Sequence, residues 1–129
     1  MARVILDTTV LVSAERSRRR LDAALDDGDD VVIAAITAAE LLVGVHLADG
    51  ANRGRRAAFV DAILETVPIE DYDLAVARAH AELLAHTRRT GRPRGAHDLL
   101  VAATARATGR TVVADDVDAF TDLPGVAHA

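Results

Sequence analysis

The sequence predicts an α/β protein: a three-layer α/β/α domain around a central parallel sheet of four to five strands. Two observations carry this. Val4-Ile5-Leu6, Val31-Val32-Ile33-Ala34 and Thr111-Val112-Val113 are continuous apolar runs, as expected of strands covered on both faces. Segments with apolar residues at helical spacing lie between them, and strands alternating with helices imply parallel pairing through crossover connections. The chain has 129 residues, so a single domain over 1–129 is expected. A chain of that size buries roughly two-thirds of its unfolded surface.

Taken in order, the first strand ends in Asp7-Thr8-Thr9, and residues 9–14 read as a short helix. Residues 18–26 form a second segment closed by Gly28, ahead of the strand 31–34. Thr37 is expected to open a helix with Leu41, Leu42, Val45 and Ala48 on one face, ending at Gly50. Asn52 is the expected cap of the next helix, whose apolar face is Phe59, Val60, Ile63 and Leu64. Val67-Pro68-Ile69 is a minimal strand that its proline assigns to an edge. Asp71 is read as the cap of a long helix carrying Tyr72, Val76, Ala79 and Leu83, and residues 87–95 as an exposed basic loop. A helix over 96–107 stops at Gly109, the strand 111–113 follows, and Val126-Ala127-His128 adds a last edge strand.

Composition narrows the function classes. With no Cys, disulfide frameworks and thiolate metal sites are excluded. There is no signal-like N-terminal pattern and no apolar run approaching about 18 residues, so a soluble, cytoplasmic protein with no membrane association is expected. A net charge of −5 argues against coating nucleic acid by bulk electrostatics. All 15 basic residues are Arg, and 15 of the 20 acids are Asp. Arg clusters at 16–20, 53–56 and 88–94 are candidate phosphate-binding rims, because guanidinium grips phosphate bidentately. A G+C-rich coding bias accounts for the missing Lys equally well. The only aromatics are Phe59, Tyr72 and Phe120, too few for a base-stacking platform.

The acids acquire meaning once placed on the predicted frame. Asp7 ends the first strand, Glu40 falls in the first turn of the helix leaving the second, and Asp116 follows the strand 111–113. Asp98 opens a helix that runs antiparallel to its following strand, and so begins at the same sheet edge. That edge is where α/β sheets place their functional crevice. Two carboxylates about 4 Å apart repel by roughly 1–4 kcal/mol, so such a cluster calls for protonation or a cation. All-oxygen sites suit Mg2+, with Mn2+ as a substitute. Metal-dependent phosphodiester hydrolysis is the chemistry this suggests.

Each residue also has a plainer reading. Thr37-Ala38-Ala39-Glu40 forms a capping box in which Glu40 returns to the backbone of Thr37. Asp98 is favoured at a helix N-terminus by the dipole alone, and Asp115, Asp116 and Asp118 suit a turn. Asp7 or a following Thr could serve as a helix cap. His97 reads as a surface or capping residue, and His46, His80 and His86 as structural.

Four motifs occur in order along essentially the whole chain: Asp7-Thr8-Thr9-Val10; Thr37-Ala38-Ala39-Glu40-Leu41-Leu42-Val43-Gly44; His97-Asp98-Leu99-Leu100-Val101-Ala102-Ala103-Thr104-Ala105; and 115–120 followed by Leu123-Pro124-Gly125-Val126. Together they resemble the PIN-domain ribonucleases, and among them the VapC-type toxins of bacterial toxin–antitoxin pairs. The resemblance implies a PIN-like fold, endoribonuclease activity with Mg2+, an RNA substrate, a cognate antitoxin and a homodimer. It implies metal ligation by Asp7 and Asp98, completed by Glu40 and Asp116 through waters or a second ion, with Thr8 or Thr9 holding metal waters. The chain departs from the pattern at Ala114, where a hydroxyl usually precedes the last acid. The register of Asp115-Asp116-Val117-Asp118 is open, with Asp116 chosen and Asp118 in reserve.

Two rivals fail for want of a Lys, the haloacid-dehalogenase-type phosphatase and the response-regulator receiver. The former also needs an acid at Thr9. A non-catalytic PIN-like module, whose acidic pocket only engages a partner's Arg, is the alternative from another class.

Overall fold

A computed structural model describes residues 1–16 and 28–129; the predicted segment 18–26 lies outside them. Five strands form one parallel sheet: β1 (Arg3–Leu6), β2 (Asp30–Ala34), β3 (Ile69–Glu70), β4 (Thr111–Val113) and β5 (Ala127–His128). Their order is β3-β2-β1-β4-β5, so β1 is central. It is locked by Val4 opposite Val31 and Ile5 opposite Val32 on one side, and by Ile5 opposite Val112 and Leu6 opposite Val113 on the other. The short strands β3 and β5 form the edges, as the proline at 68 predicts for β3.

The helices are α1 (Thr8–Arg16), α2 (Ala35–Leu47), α3 (Gly50–Thr66), α4 (Leu74–Thr90) and α5 (Ala96–Thr108), with a 3-10 turn at Val117–Phe120. Side chains along a strand alternate between faces, and β1 divides accordingly. Ile5 joins Val32, Ala34 and Val112 against α4 and α5, through Val76, Leu83, Leu99 and Val101. Val4 and Leu6 join Ile33 on the other face, against Leu11 of α1, Leu41 of α2, and Val60 and Ile63 of α3. A run with no polar alternation is therefore covered twice, giving the predicted three layers. Ala102, Ala103 and Ala105 of α5 are fully buried in the first of these cores.

Several local expectations are corrected. The helix α2 starts at Ala35, not Thr37, with Ala34 in the cap position and no side-chain cap bond. Thr37 is consequently inside the first turn, buried, and its hydroxyl has no partner. The capping-box reading of Glu40 falls with it, and Glu40 sits in the second turn rather than the first. Gly50 does not stop α2 but begins α3, which is capped by Asp49 accepting from the Asn52 N–H at 3.0 Å, so Asn52 is not the cap. Asp73, not Asp71, caps α4, accepting from Val76 N at 3.0 Å and leaving Tyr72 outside the helix. The stretch 87–90 is the last turn of α4 rather than loop, because Thr87 faces inward and is buried. Gly91 and Gly109 end α4 and α5 in the left-handed region, each at φ 66°, which glycine adopts without steric cost.

Candidate active site

The carboxyl edge of β1, β2 and β4 gathers the acids. Asp7 directly follows β1, and its backbone N–H continues the ladder to Val113 O at 2.9 Å. It is buried, only 5% exposed, so a charge there needs polar partners. Thr9, in the first turn of α1, supplies them: its hydroxyl donates to Asp7 Oδ2 at 2.8 Å, and its backbone N–H lies 3.4 Å from the same oxygen. The Thr9 hydroxyl also accepts from the Asp115 N–H at 3.1 Å, tying α1 to the segment after β4. Where the family resemblance leads one to expect a hydroxyl before the last acid, this chain has Ala114, and the hydroxyl beside the Asp115 N–H comes from Thr9.

Glu40 projects from the second turn of α2 and is held from two sides. The Thr8 hydroxyl donates to Oε1 at 3.0 Å, and His97 Nδ1 lies 3.2 Å from Oε2. A bare ring lone pair facing a carboxylate would be repelled, so the proton belongs on Nδ1 at this contact. Reading His97 as a mere surface or capping residue was therefore incomplete. Thr8 and Thr9, expected around metal waters, here contact the carboxylates themselves.

Asp98 is the third residue of α5, and Gly95 caps that helix without a side chain. The carboxylate folds back over this position, and a Cβ placed on Gly95 would meet Asp98 Oδ2 at 2.9 Å. Burial, then the charges of Asp7, Glu40 and Asp116, push the Asp98 carboxyl above its ordinary value, while His97 pulls it down. The acids felt by Asp98 thus come from three other segments. Asp116 is among them, and its side chain also accepts from the Asp118 N–H at 3.2 Å to start the 3-10 turn. Asp116, and not Asp118, is among the charges that raise Asp98. Beside the acids, an open groove of about 730 Å3 runs between Glu40 and Asp115 and along α1.

All-carboxylate donors fit a hard divalent cation by chemistry and by charge. Among the described residues, however, no three His, Asp or Glu side chains are already gathered around one point as a ligand set. Asp7 is turned to Thr9, and Glu40 to Thr8 and His97. A cation here would have to be met by carboxylate rotation or through water.

Sequence reasoning missed Gly95 and the contact of His97 with Glu40, whereas Arg16, from the first of the candidate phosphate-binding clusters, lines the groove. The remaining described Arg clusters are largely engaged internally. Arg53 donates to the carbonyls of Ala48 and His46, and Arg56 pairs with Glu15 at 3.0 Å. Arg94 donates to Thr121 O at 2.6 Å, and Arg92 meets Asp122 at 3.3 Å.

Comparison with known proteins bears on the sequence and the fold. The chain is 26% identical to the tRNA(fMet)-specific endonuclease VapC of Shigella flexneri, over 98% of this chain and 96% of that protein. It is 30% identical to a chain of VapBC-5 from Mycobacterium tuberculosis, a member of the VapBC family of toxin–antitoxin systems. That match has a TM-score of 0.80 and covers 99% and 98% of the two chains. The fold also matches VapBC2 from Rickettsia felis, solved with a DNA fragment from its promoter, at a TM-score of 0.88 and 23% identity over 98% and 97%. The PIN-domain model itself matches residues 4–126, all but the extreme ends, and the chain belongs to the PIN-domain family.

Proposed function

We propose that this chain is an endoribonuclease that hydrolyses RNA phosphodiesters with Mg2+ or Mn2+, acting as the toxin of a toxin–antitoxin pair. The carrying observation is that Asp7, Glu40, Asp98 and Asp116 come from four segments to one sheet edge, where burial first and then the other three charges raise the Asp98 carboxyl. A bound Mg2+ would neutralise phosphate charge and acidify a water there. Asp7 and Asp98 are the residues to hold it, the first fixed by Thr9 and the second given room by Gly95. Glu40, held by Thr8 and His97, and Asp116 would orient waters around the phosphate. The VapC relatives, named as endonucleases or ribonucleases, support the same reading.

Purified protein should cleave RNA with added Mg2+, lose cleavage to chelator, and lose it on Asp98→Asn. Cleavage by the Asp98→Asn protein equal to that of the parent would overturn the proposal. The non-catalytic alternative, an acid pocket that only engages a partner's Arg, is favoured by one observation: the described acids are not already gathered as a ligand set. Its signature is a protein that binds an Arg-bearing partner and never cleaves.

A cognate antitoxin is the proposed partner, by analogy with the toxin–antitoxin complexes among the solved relatives. Leu42, Val43 and Leu47 of α2 are exposed, Leu47 at 81%, and offer an apolar strip to an antitoxin helix in the helix-in-groove mode. An antitoxin Arg fed among the acids would inhibit, and changing it to Ala should restore cleavage in a complex that still assembles. A homodimer is also proposed, as twofold pairing is the commonest closed assembly. Light scattering giving a monomer mass across micromolar concentrations counts against it. Among the described residues no helix is long and apolar enough to cross a membrane, and we place the protein in the cytoplasm.

A further inference from the structure

We propose that the solvent face of α1 is the track along which RNA flanking the cleaved bond leaves the acid cluster, with Arg16 as its phosphate clamp. This rests on the nuclease reading above. The groove beside the acids is lined by Thr8, Thr9, Val12, Ser13 and Arg16, all from α1, together with Glu40 and Asp115, which contact Thr8 and Thr9 at the start of that helix. Those α1 positions are three and four residues apart, so they form one continuous stripe of the helix. At 1.5 Å per residue the stripe runs about 10 Å from Thr9 to Arg16. It therefore leads from the residue that holds Asp7 to a guanidinium, along one wall of one groove.

The chemistry of the stripe is graded in the way a nucleic acid strand requires. Hydroxyls stand at the acid end, where Thr8 and Thr9 are already occupied with carboxylates. Ser13 adds a further hydroxyl to the lining, Val12 offers an apolar contact for a sugar or base, and Arg16 is the one cation among the described lining residues. A guanidinium presents paired donors to phosphate. Helix electrostatics alone also account for an Arg in a last turn. Two facts set Arg16 apart from that explanation. Its neighbour Glu15 is already neutralised by Arg56 of α3 at 3.0 Å, so it does not compete for the Arg16 guanidinium. And of the Arg residues in the other clusters, Arg53, Arg56, Arg92 and Arg94 are spent on carbonyls and acids, whereas Arg16 opens on the groove.

The test compares a dinucleotide with an oligonucleotide that extends past the cleaved bond, using parent, Arg16→Gln and Arg16→Lys proteins. The dinucleotide holds the reacting phosphate but does not reach Arg16. Arg16→Gln should leave kcat/KM on the dinucleotide unchanged and raise KM for the oligonucleotide roughly two- to fivefold, as expected for one exposed ion pair. The dependence of log(kcat/KM) on log salt for the oligonucleotide should become shallower by about 0.7, one single-strand phosphate contact. Arg16→Lys should recover most of both effects. Oligonucleotides extended on one side of the bond only should show the loss on one side and not on the other, because α1 leaves the cluster in one direction. Unchanged oligonucleotide KM and salt slope in Arg16→Gln overturns the track, as does an equal loss on the dinucleotide. A parent protein that cleaves neither substrate overturns the nuclease reading instead, and the track falls with it.

Discussion

The Thr8 hydroxyl donates to Glu40 Oε1 at 3.0 Å, joining residues thirty-two positions apart across two helices. With His97 on the other oxygen, Glu40 is fixed by contacts from α1 and α5 and owes nothing to the start of its own helix. Glu40→Gln should therefore keep the Thr8 bond, since an amide oxygen still accepts it. Removing a like charge near Asp98 favours the fold, but the amide NH2 now meets the His97 Nδ1 proton, so thermal stability should change little. Cleavage should fall about ten- to a hundredfold, the range for disturbing the support of a metal site. Melting curves and cleavage assays on the same preparation decide. A variant that melts early and cleaves normally would restore a purely structural Glu40.

Asp98 makes the metal-free protein pH-dependent in a direction that can be worked out. Its carboxyl is raised above 3.8 by burial and by Asp7, Glu40 and Asp116. The folded state therefore holds this proton more tightly than the unfolded chain. Between 3.8 and the raised value the native state binds more protons, so this group's contribution to stability falls as pH rises through that window. Above that window the ionised Asp98 is a net cost to the apo fold. Asp98→Asn should then melt at or above the parent temperature at pH 7, with the gap closing in acid. Added Mg2+ should raise the parent's melting temperature and leave the variant's alone. A variant less stable than the parent at pH 7, without metal, contradicts this account.

What the sequence made legible was whatever depends on chain topology alone. A doubly covered strand such as Val4-Ile5-Leu6 has no polar alternation, so both its burial and its central place could be read. Once it was placed, the acids at the carboxyl ends followed. Caps were misread because motifs count spacing but not where a helix starts: Ala35 and Ile36 continue straight from β2, which put Thr37 inside the helix. The same ambiguity shifted the caps from Asp49 and Asp73 to Asn52 and Asp71. Arg88 and Arg89 made the end of α4 look like loop, although Thr87 beside them packs inward. His97 and Gly95 stayed hidden because their importance lies in distances to Glu40 and Asp98, which no local pattern encodes.

Gly95 is a test of fit rather than of charge. A methyl group there would come within 2.9 Å of Asp98 Oδ2, the mobile end of a side chain, with no backbone in the way. Its φ of −57° suits any residue. Gly95→Ala should fold with little loss of stability while the Asp98 carboxylate swings aside. Cleavage should drop about ten- to a hundredfold, the range for disturbing the support of a ligand, with a matching rise in the Mg2+ concentration needed. Normal activity with normal Mg2+ dependence would mean that the position of Asp98 against Gly95 is unimportant.

Arg110 provides the complementary case, a residue that should matter to folding and not to cleavage. It lies just before β4, at the amino edge of the sheet opposite the acids, and is only 7% exposed. Its NH1 donates to Asp30 O at 2.9 Å, to Asp30 Oδ1 at 3.0 Å and to Val4 O at 3.4 Å, clamping the start of β2 to β1. Its Nε is buried without a partner, so the clamp is not fully satisfied. Removing one member of a fully buried ion pair costs about 3–5 kcal/mol. Here the Asp30 and Glu70 side chains are 43% and 34% exposed and can be rehydrated, so the loss is chiefly that of the donors to buried carbonyls. Arg110→Met, which keeps the aliphatic volume, should therefore destabilise by about 1–3 kcal/mol. Denaturant titration gives that number directly, and kcat per folded molecule should equal the parent's. A fall in kcat at temperatures well below the melting transition would show that the two edges of the sheet are coupled, against the division of labour drawn here.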